Sequence, residues 1–197
     1  MPPFSILHVC MGNICRSPMA ERLLLAAARD LVGDKADELL LVGSTGTGGW
    51  HVGGAMDRSA ARQVVSRGGS VDGFRARKLA HEHIESADLI LTATAEQQEH
   101  VLALRPEAVE RTYVLGEFGR LLRSVDLGRL PPSGLHPDGV YDRGVALVTA
   151  VSEVRGGEIA QPGDDLDDPY GQGDGYFSQV ADQIEQAVRP LAAALLS

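Results

Sequence analysis

The feature that most constrains the fold is the run His8–Glu21, HVCMGNICRSPMAE, which lies between a β-prone segment and a helical one. Ser5–Val9 (SILHV) reads as a short buried strand that stops at Cys10. From Met19 to Val32 helix formers dominate, with an apolar stripe at Leu23, Leu24, Ala27, Ala28 and Leu31. Ser17 suits an N-cap and Pro18 the first helical position, so a tight loop joins strand to helix. The pattern then repeats. Leu39–Val42, Ala87–Thr92 and Thr112–Leu115 read as further strands, and Asp57–Arg67, Glu96–Leu104, Glu117–Arg123 and Gly175–Leu196 as helices, the last kinked or broken at Pro190. Strands alternating with helices predict an α/β fold with a mostly parallel sheet.

The region at about 124–164 departs from this rhythm. It holds Pro131, Pro132, Pro137 and Pro162 with many glycines, and reads as a partly ordered insertion with a helix over 144–154. At 197 residues the chain fits a single domain that includes this insertion. It shows no basic leader ahead of its first apolar run, and its apolar stretches fall far short of the ~20 residues of a membrane span. A cytoplasmic location without membrane partners is therefore expected. With 18 basic and 27 acidic residues the net charge is −9, which disfavours nucleic-acid binding. An anionic substrate must then be captured by a local site working against the overall field. The only cysteines are Cys10 and Cys15, and His51, His81, His83, His100 and His136 show no ligand spacing with them, so neither a disulfide framework nor a metal is expected.

The loop itself has a chemistry. Met11, Gly12, Asn13, Ile14 and Cys15 can turn successive backbone N–H groups inward as an anion-binding nest, with the positive end of the following helix behind it. Arg16 adds a guanidinium fork suited to phosphate oxygens. Cys10, at the mouth of the same cradle, is expected to have its thiolate stabilised by these groups. The unit therefore reads as a thiol nucleophile facing a bound phosphate.

In these residues the chain resembles the low-molecular-weight protein tyrosine phosphatases, whose signature is Cys, five residues, Arg, Ser; CMGNICRSPMAE is an instance of it. The likeness runs from about Ser5 to Arg123 and again from Asp165 to the end. It implies a flavodoxin-like three-layer fold, with a four-stranded parallel sheet flanked by helices, and no cofactor. It implies Cys10 as nucleophile, Arg16 as the phosphate-binding and transition-state residue, Ser17 as the hydroxyl that steadies the thiolate, and Asn13 as the side chain that holds the loop. Gly43–Thr47 stands where the family has Ser-Ala-Gly-Thr, with Thr45 for the small Ala. Phe74 stands where the family often carries a His that supports the loop Asn.

The resemblance also implies a general acid just before Pro in a late loop. DDLDDPYG offers Asp164, Asp165, Asp167 and Asp168, and Asp168, restrained by Pro169, is the choice. Neighbouring carboxylates are expected to help keep one of them protonated. Trp50 and Tyr170 are candidate aromatic walls of a deep slot. Family likeness suggests a reversible disulfide between Cys10 and Cys15. Ile14, where arginine phosphatases tend to have Thr, leans toward phosphotyrosine. The expected partner is a phosphotyrosine protein, a tyrosine kinase among the candidates, acted on by a monomer. An arsenate reductase using an external thiol and a non-catalytic phospho-ligand module remain as alternatives. His8 reads as a packed strand residue.

Overall fold

The structure, a computed structural model, describes residues 1–197. Its elements follow in the order β1 (Phe4–Cys10), α1 (Arg16–Val32), α2 (Ala36–Leu39), β2 (Leu40–Gly46), α3 (Arg58–Ser66), α4 (His81–Glu85), β3 (Leu89–Thr92), α5 (Ala95–Leu104), β4 (Thr112–Val114), α6 (Leu115–Leu122), α7 (Pro137–Arg155) and α8 (Asp174–Leu196). The strands form one four-stranded sheet in the order β2-β1-β3-β4, every neighbour parallel, as in a flavodoxin-like fold. The chain leaves β1 for β2 on one side and then crosses to β3 on the other. The carboxyl end of β1 thus lies at the switch point, where open α/β sheets leave a crevice.

β1 is apolar on both faces because both are covered. Phe4, Ile6 and Cys10 face the larger core, built with α1, α3, α6, α7 and α8, while Leu7 and Val9 join Ile84, Ile90 and Val101 in the smaller one. Two helix starts and the interior of a third helix depart notably from the sequence reading. α1 starts at Arg16 with Cys15 as its N-cap, and the Ser17 hydroxyl does not cap it, because that hydroxyl is engaged inside the loop. α7 starts at Pro137 rather than near Gly144, since His136 Nδ1 accepts the Gly139 N–H and Pro137 occupies the first turn. α8 runs unbroken past Pro190.

α7 is tied into the body. Gly144 lies so close to the Phe4 ring that a Cβ there would fall 2.4 Å from it. Arg143 donates to the carbonyls of Ala194 and Pro131 and to the Ser197 hydroxyl. The Arg155 guanidinium lies 3.6 Å from the centre of the Tyr113 ring. No helix is long and apolar enough to cross a membrane.

Candidate active site

The loop between β1 and α1 is shaped by what grips its carbonyl groups. Those of Cys10, Met11, Ile14 and Cys15 turn outward and accept N–H groups from Thr47, Gly48, Asp57 and Met19 at 2.9 to 3.1 Å. The N–H groups of the intervening peptides consequently face inward, the arrangement of an anion-binding nest. β2 ends against the back of the loop. A Cβ on Gly46 would lie 2.7 Å from the Met11 carbonyl oxygen and 2.9 Å from the Asn13 nitrogen, so only glycine fits.

Asn13 is the pin. It sits at φ 55, a left-handed conformation that Asn tolerates better than most residues. Its Nδ2 donates to Ser17 Oγ at 2.9 Å and to Ser44 Oγ at 2.8 Å, and its Oδ1 accepts the Arg77 backbone N–H at 2.8 Å. Ser17 Oγ lies 3.0 Å from Cys10 Sγ, and the Asn13 backbone N–H points to the same sulfur at 3.3 Å. Arg77 arrives because residues 77–79 run alongside the end of β2: Gly46 N–H donates to the Arg77 carbonyl, and Leu79 N–H to that of Gly46. Phe74 is buried and carries no hydrogen-bonding group, so the loop Asn is held by a backbone N–H and two serines instead of a side chain at position 74.

Arg16 is buried at the start of α1, with Nη1 donating to the Leu166 carbonyl at 3.3 Å and Nη2 paired with Asp168 Oδ2 at 3.0 Å. The other Asp168 oxygen accepts the Tyr170 N–H at 3.2 Å, which fixes the carboxylate over the loop. The acidic run does not act as a cluster. Asp164 is bound by both Nε and Nη2 of Arg120, and Asp165 accepts the Ala95 N–H. The mutual repulsion expected from the sequence thus gives way to separate partners. Burial works to raise the Asp164 carboxyl, but Arg120 and the Gln161 N–H overcome it and hold the group below the usual carboxylate range.

A cavity of about 220 Å³ opens above the loop. It is lined by Cys10, Met11, Gly12, Ile14, Cys15, Arg16, Trp50, His51, Asp168 and Tyr170. Cys10 lies at its floor, 2% exposed, whereas Trp50 and Tyr170 stand at the rim, 74% and 60% exposed. Asn13 and Ser17 do not line the cavity; their side chains are buried behind the loop. Both cysteines are free thiols. Burial first, then the charge of Asp57, pushes the Cys15 thiol up, so it stays uncharged beside the loop.

The sequence model of the family described as "Low molecular weight phosphotyrosine protein phosphatase" matches residues 5–129. The chain belongs to this family. It is 39% identical over 140 residues to low molecular weight protein-tyrosine phosphatase A of Mycobacterium tuberculosis, covering 71% of this chain and 76% of that one. Among solved structures, the tyrosine phosphatase Wzb from Escherichia coli in complex with sulphate superposes with a TM-score of 0.63 at 26% identity, covering 96% of both chains. The arginine phosphatase from Geobacillus stearothermophilus shares the fold at a TM-score of 0.63 and 24% identity, covering 97% of this chain and 92% of that one.

The matched family segment contains the loop and Asn13's partners but stops before Asp168 and Tyr170, which the fold brings back over the loop. His51 is a wall residue that the sequence reading missed. Its ring packs near Gly12 and lies 6.3 Å from the Tyr170 ring. The one clue was its place next to Trp50. Ser44, Glu21 and Arg77 were also missed as loop supports, because each comes from a different segment and only the packing of β2 joins them.

Proposed function

We propose that this low molecular weight phosphatase hydrolyses phosphotyrosine through a phospho-cysteine on Cys10. The observation that carries the reading is a single cavity with Cys10 Sγ at its floor, Arg16 and Asp168 on its wall and two aromatic rings at its rim. A phosphate seated in the loop meets inward N–H groups and the Arg16 guanidinium, and takes over the Nη2 donor that now pairs with Asp168. The Asp168 carboxyl is thereby released to face the ester oxygen.

In the first step the Cys10 thiolate attacks phosphorus, and an S–P bond forms as the P–O bond to the phenol breaks. Asp168, in its protonated form, gives its proton to the departing oxygen. In the second step Asp168 takes a proton from water, the water oxygen attacks phosphorus, and the S–P bond breaks to return the thiolate and free phosphate. Ser17 Oγ, 3.0 Å from Sγ, stabilises the sulfur as it leaves. Depth supports the substrate class: with the nucleophile buried below a rim of Trp50, His51 and Tyr170, an aryl phosphate spans the slot and phosphoserine does not reach. Ile14 presents only hydrocarbon to the cavity, which suits a phenyl ring better than a guanidinium.

On the same reading the partner is a phosphotyrosine protein, a tyrosine kinase among them, met in the cytoplasm by a monomer. The whole chain is one phosphatase domain, with 124–164 as an extended connection between α6 and the Asp168 loop. The test is pre-steady-state kinetics with an aryl phosphate bearing a good leaving group. Release of one phenolate per enzyme in a burst, absent in Cys10→Ser, is expected. Turnover retained by Cys10→Ser contradicts the phospho-cysteine.

A further inference from the structure

The rim of the cavity is not electrically uniform. One side is the late loop, where Asp167 and Asp168 are exposed and Tyr170 closes the wall. The other side is the loop 47–54, which carries Trp50 and His51. That loop is laced to the run 76–79. Gly53 N–H donates to the Ala76 carbonyl at 2.8 Å, and Ala76 N–H donates to that of Gly54 at 2.9 Å. The lacing brings Lys78 against Gly49. A Cβ on Gly49 would lie 3.2 Å from Lys78 Cδ and 4.0 Å from Val52 Cγ2, so glycine here lets the lysine stem lie along the loop. Trp50 folds back over Gly48, close enough that a Cβ there would fall 1.8 Å from its ring. Trp50 and Val52 thus make an exposed apolar ledge with a cation beside it.

Lys78 is free to take a partner. Every ion pair in the chain is made by an arginine or by the N-terminus. The neighbouring Arg75 and Arg77 direct their guanidinium groups to the carbonyls of Phe74 and Ser44. An unpaired ammonium on a flexible stem, next to exposed apolar surface, suits a carboxylate that a ligand brings. The net charge gives it a use. At −9 the chain repels an acidic phosphopeptide at long range. At physiological salt such repulsion is screened beyond about 8 Å, so a cation at the rim acts where the distant charges do not.

We propose that the ledge of Trp50, Val52 and Lys78 is a subsite for the residues next to the phosphotyrosine, and that Lys78 selects substrates with an acidic side chain on that flank. The proposal rests on the phosphotyrosine reading above and narrows it. With the aryl phosphate in the cavity, the peptide backbone crosses the rim. One flank passes over Trp50 and the other meets the side of Asp167. A carboxylate is therefore favoured on the first flank and opposed on the second.

The test compares three phosphotyrosine peptides: one with alanine flanks, one with a pair of glutamates before the phosphotyrosine, and one with the pair after it. The readouts are kcat/KM and, in the Cys10→Ser background, the Kd followed by the fluorescence of Trp50, the only tryptophan. One of the two acidic peptides is expected to be favoured over the neutral one by about two- to fivefold, the range of an exposed ion pair, and the other is not. Lys78→Ala removes the gain, and Lys78→Glu turns it into a loss. Turnover of phenyl phosphate, which has no flanks, is unchanged in both. Lys35→Glu changes the net charge equally but lies before β2, at the end of the sheet away from the site, and keeps the gain. Raising the salt to about 0.5 M shrinks the gain in wild type.

A wild type that favours neither acidic peptide overturns the proposal. So does a gain that survives both Lys78 variants, or one that Lys35→Glu abolishes equally, which assigns it to the net charge. Binding needs no turnover. A Lys78-dependent preference in binding without hydrolysis would therefore refute the phosphatase reading and leave the subsite standing, and hydrolysis without preference would do the reverse.

Discussion

Replacing Asn13 by alanine should be among the most damaging single changes outside the chemical groups, and its cost can be worked from the geometry. The side chain makes three hydrogen bonds, to Ser17, Ser44 and the Arg77 N–H, the first two fully buried. At about 1 kcal/mol net for each, their loss costs about 3 kcal/mol. The residue also sits at φ 55, where an alanine Cβ adds about 1 kcal/mol of strain that glycine avoids. Asn13→Ala should therefore lose about 4 kcal/mol and Asn13→Gly about 3 kcal/mol, large fractions of the roughly 5–15 kcal/mol of a typical domain. Urea unfolding followed by fluorescence gives both numbers, provided the slope m is unchanged. Either an alanine variant within about 1 kcal/mol of wild type, or alanine and glycine variants of equal stability, would refute the claim that Asn13 holds a strained loop by its side chain.

Three further outcomes follow from the same structure. Asp168→Ala should slow turnover of an aryl phosphate with a poor leaving group by about 10²–10⁴-fold and have far less effect when the leaving group is good; equal losses on both substrates would remove Asp168 as the acid. Gly144→Ala should cost about 1–3 kcal/mol, because the added Cβ meets the Phe4 ring in a packed core; a neutral result in thermal unfolding would mean that α7 does not dock as described. Asp164 has its folded carboxyl held below the unfolded value near 3.9. Its ion pair with Arg120 therefore adds stability that is fully present above about pH 4 and is lost as pH falls through the lower folded value. Stability measured from pH 6 down to pH 2 should fall more steeply in wild type than in Asp164→Asn, and matching slopes would contradict this.

Much of the site could be read from one stretch of sequence because its parts are local. Cys10, the loop and Arg16 are joined by a strand end and a helix start, and both are written in short-range patterns. Asp168 was reachable because the family resemblance implies an acid just before a proline, and Pro169 follows it. The supports were not legible, since Ser44 and Arg77 meet Asn13, and Ser44 meets Glu21, only through the register of β2 against β1 and the extended run of 77–79. For the same reason the sequence does not show what holds Asn13 in place of a His at position 74: a backbone N–H, which carries no sequence signature, supplies the support. Ser17 read as a helix cap by residue type, but the Cys10 and Asn13 contacts outcompete that use. The start of α7 was hidden by Pro137, a residue equally at home in a loop and in the first turn of a helix.

The central claim is phosphotyrosine hydrolysis at Cys10. Its most direct test is phosphate release from matched phosphotyrosine, phosphoarginine and phosphoserine peptides, with Cys10→Ser as control. Release from phosphotyrosine alone is expected, abolished by Cys10→Ser while inorganic phosphate still binds that variant. Preferential release from phosphoarginine, or release from none of the three by a folded protein, would contradict it.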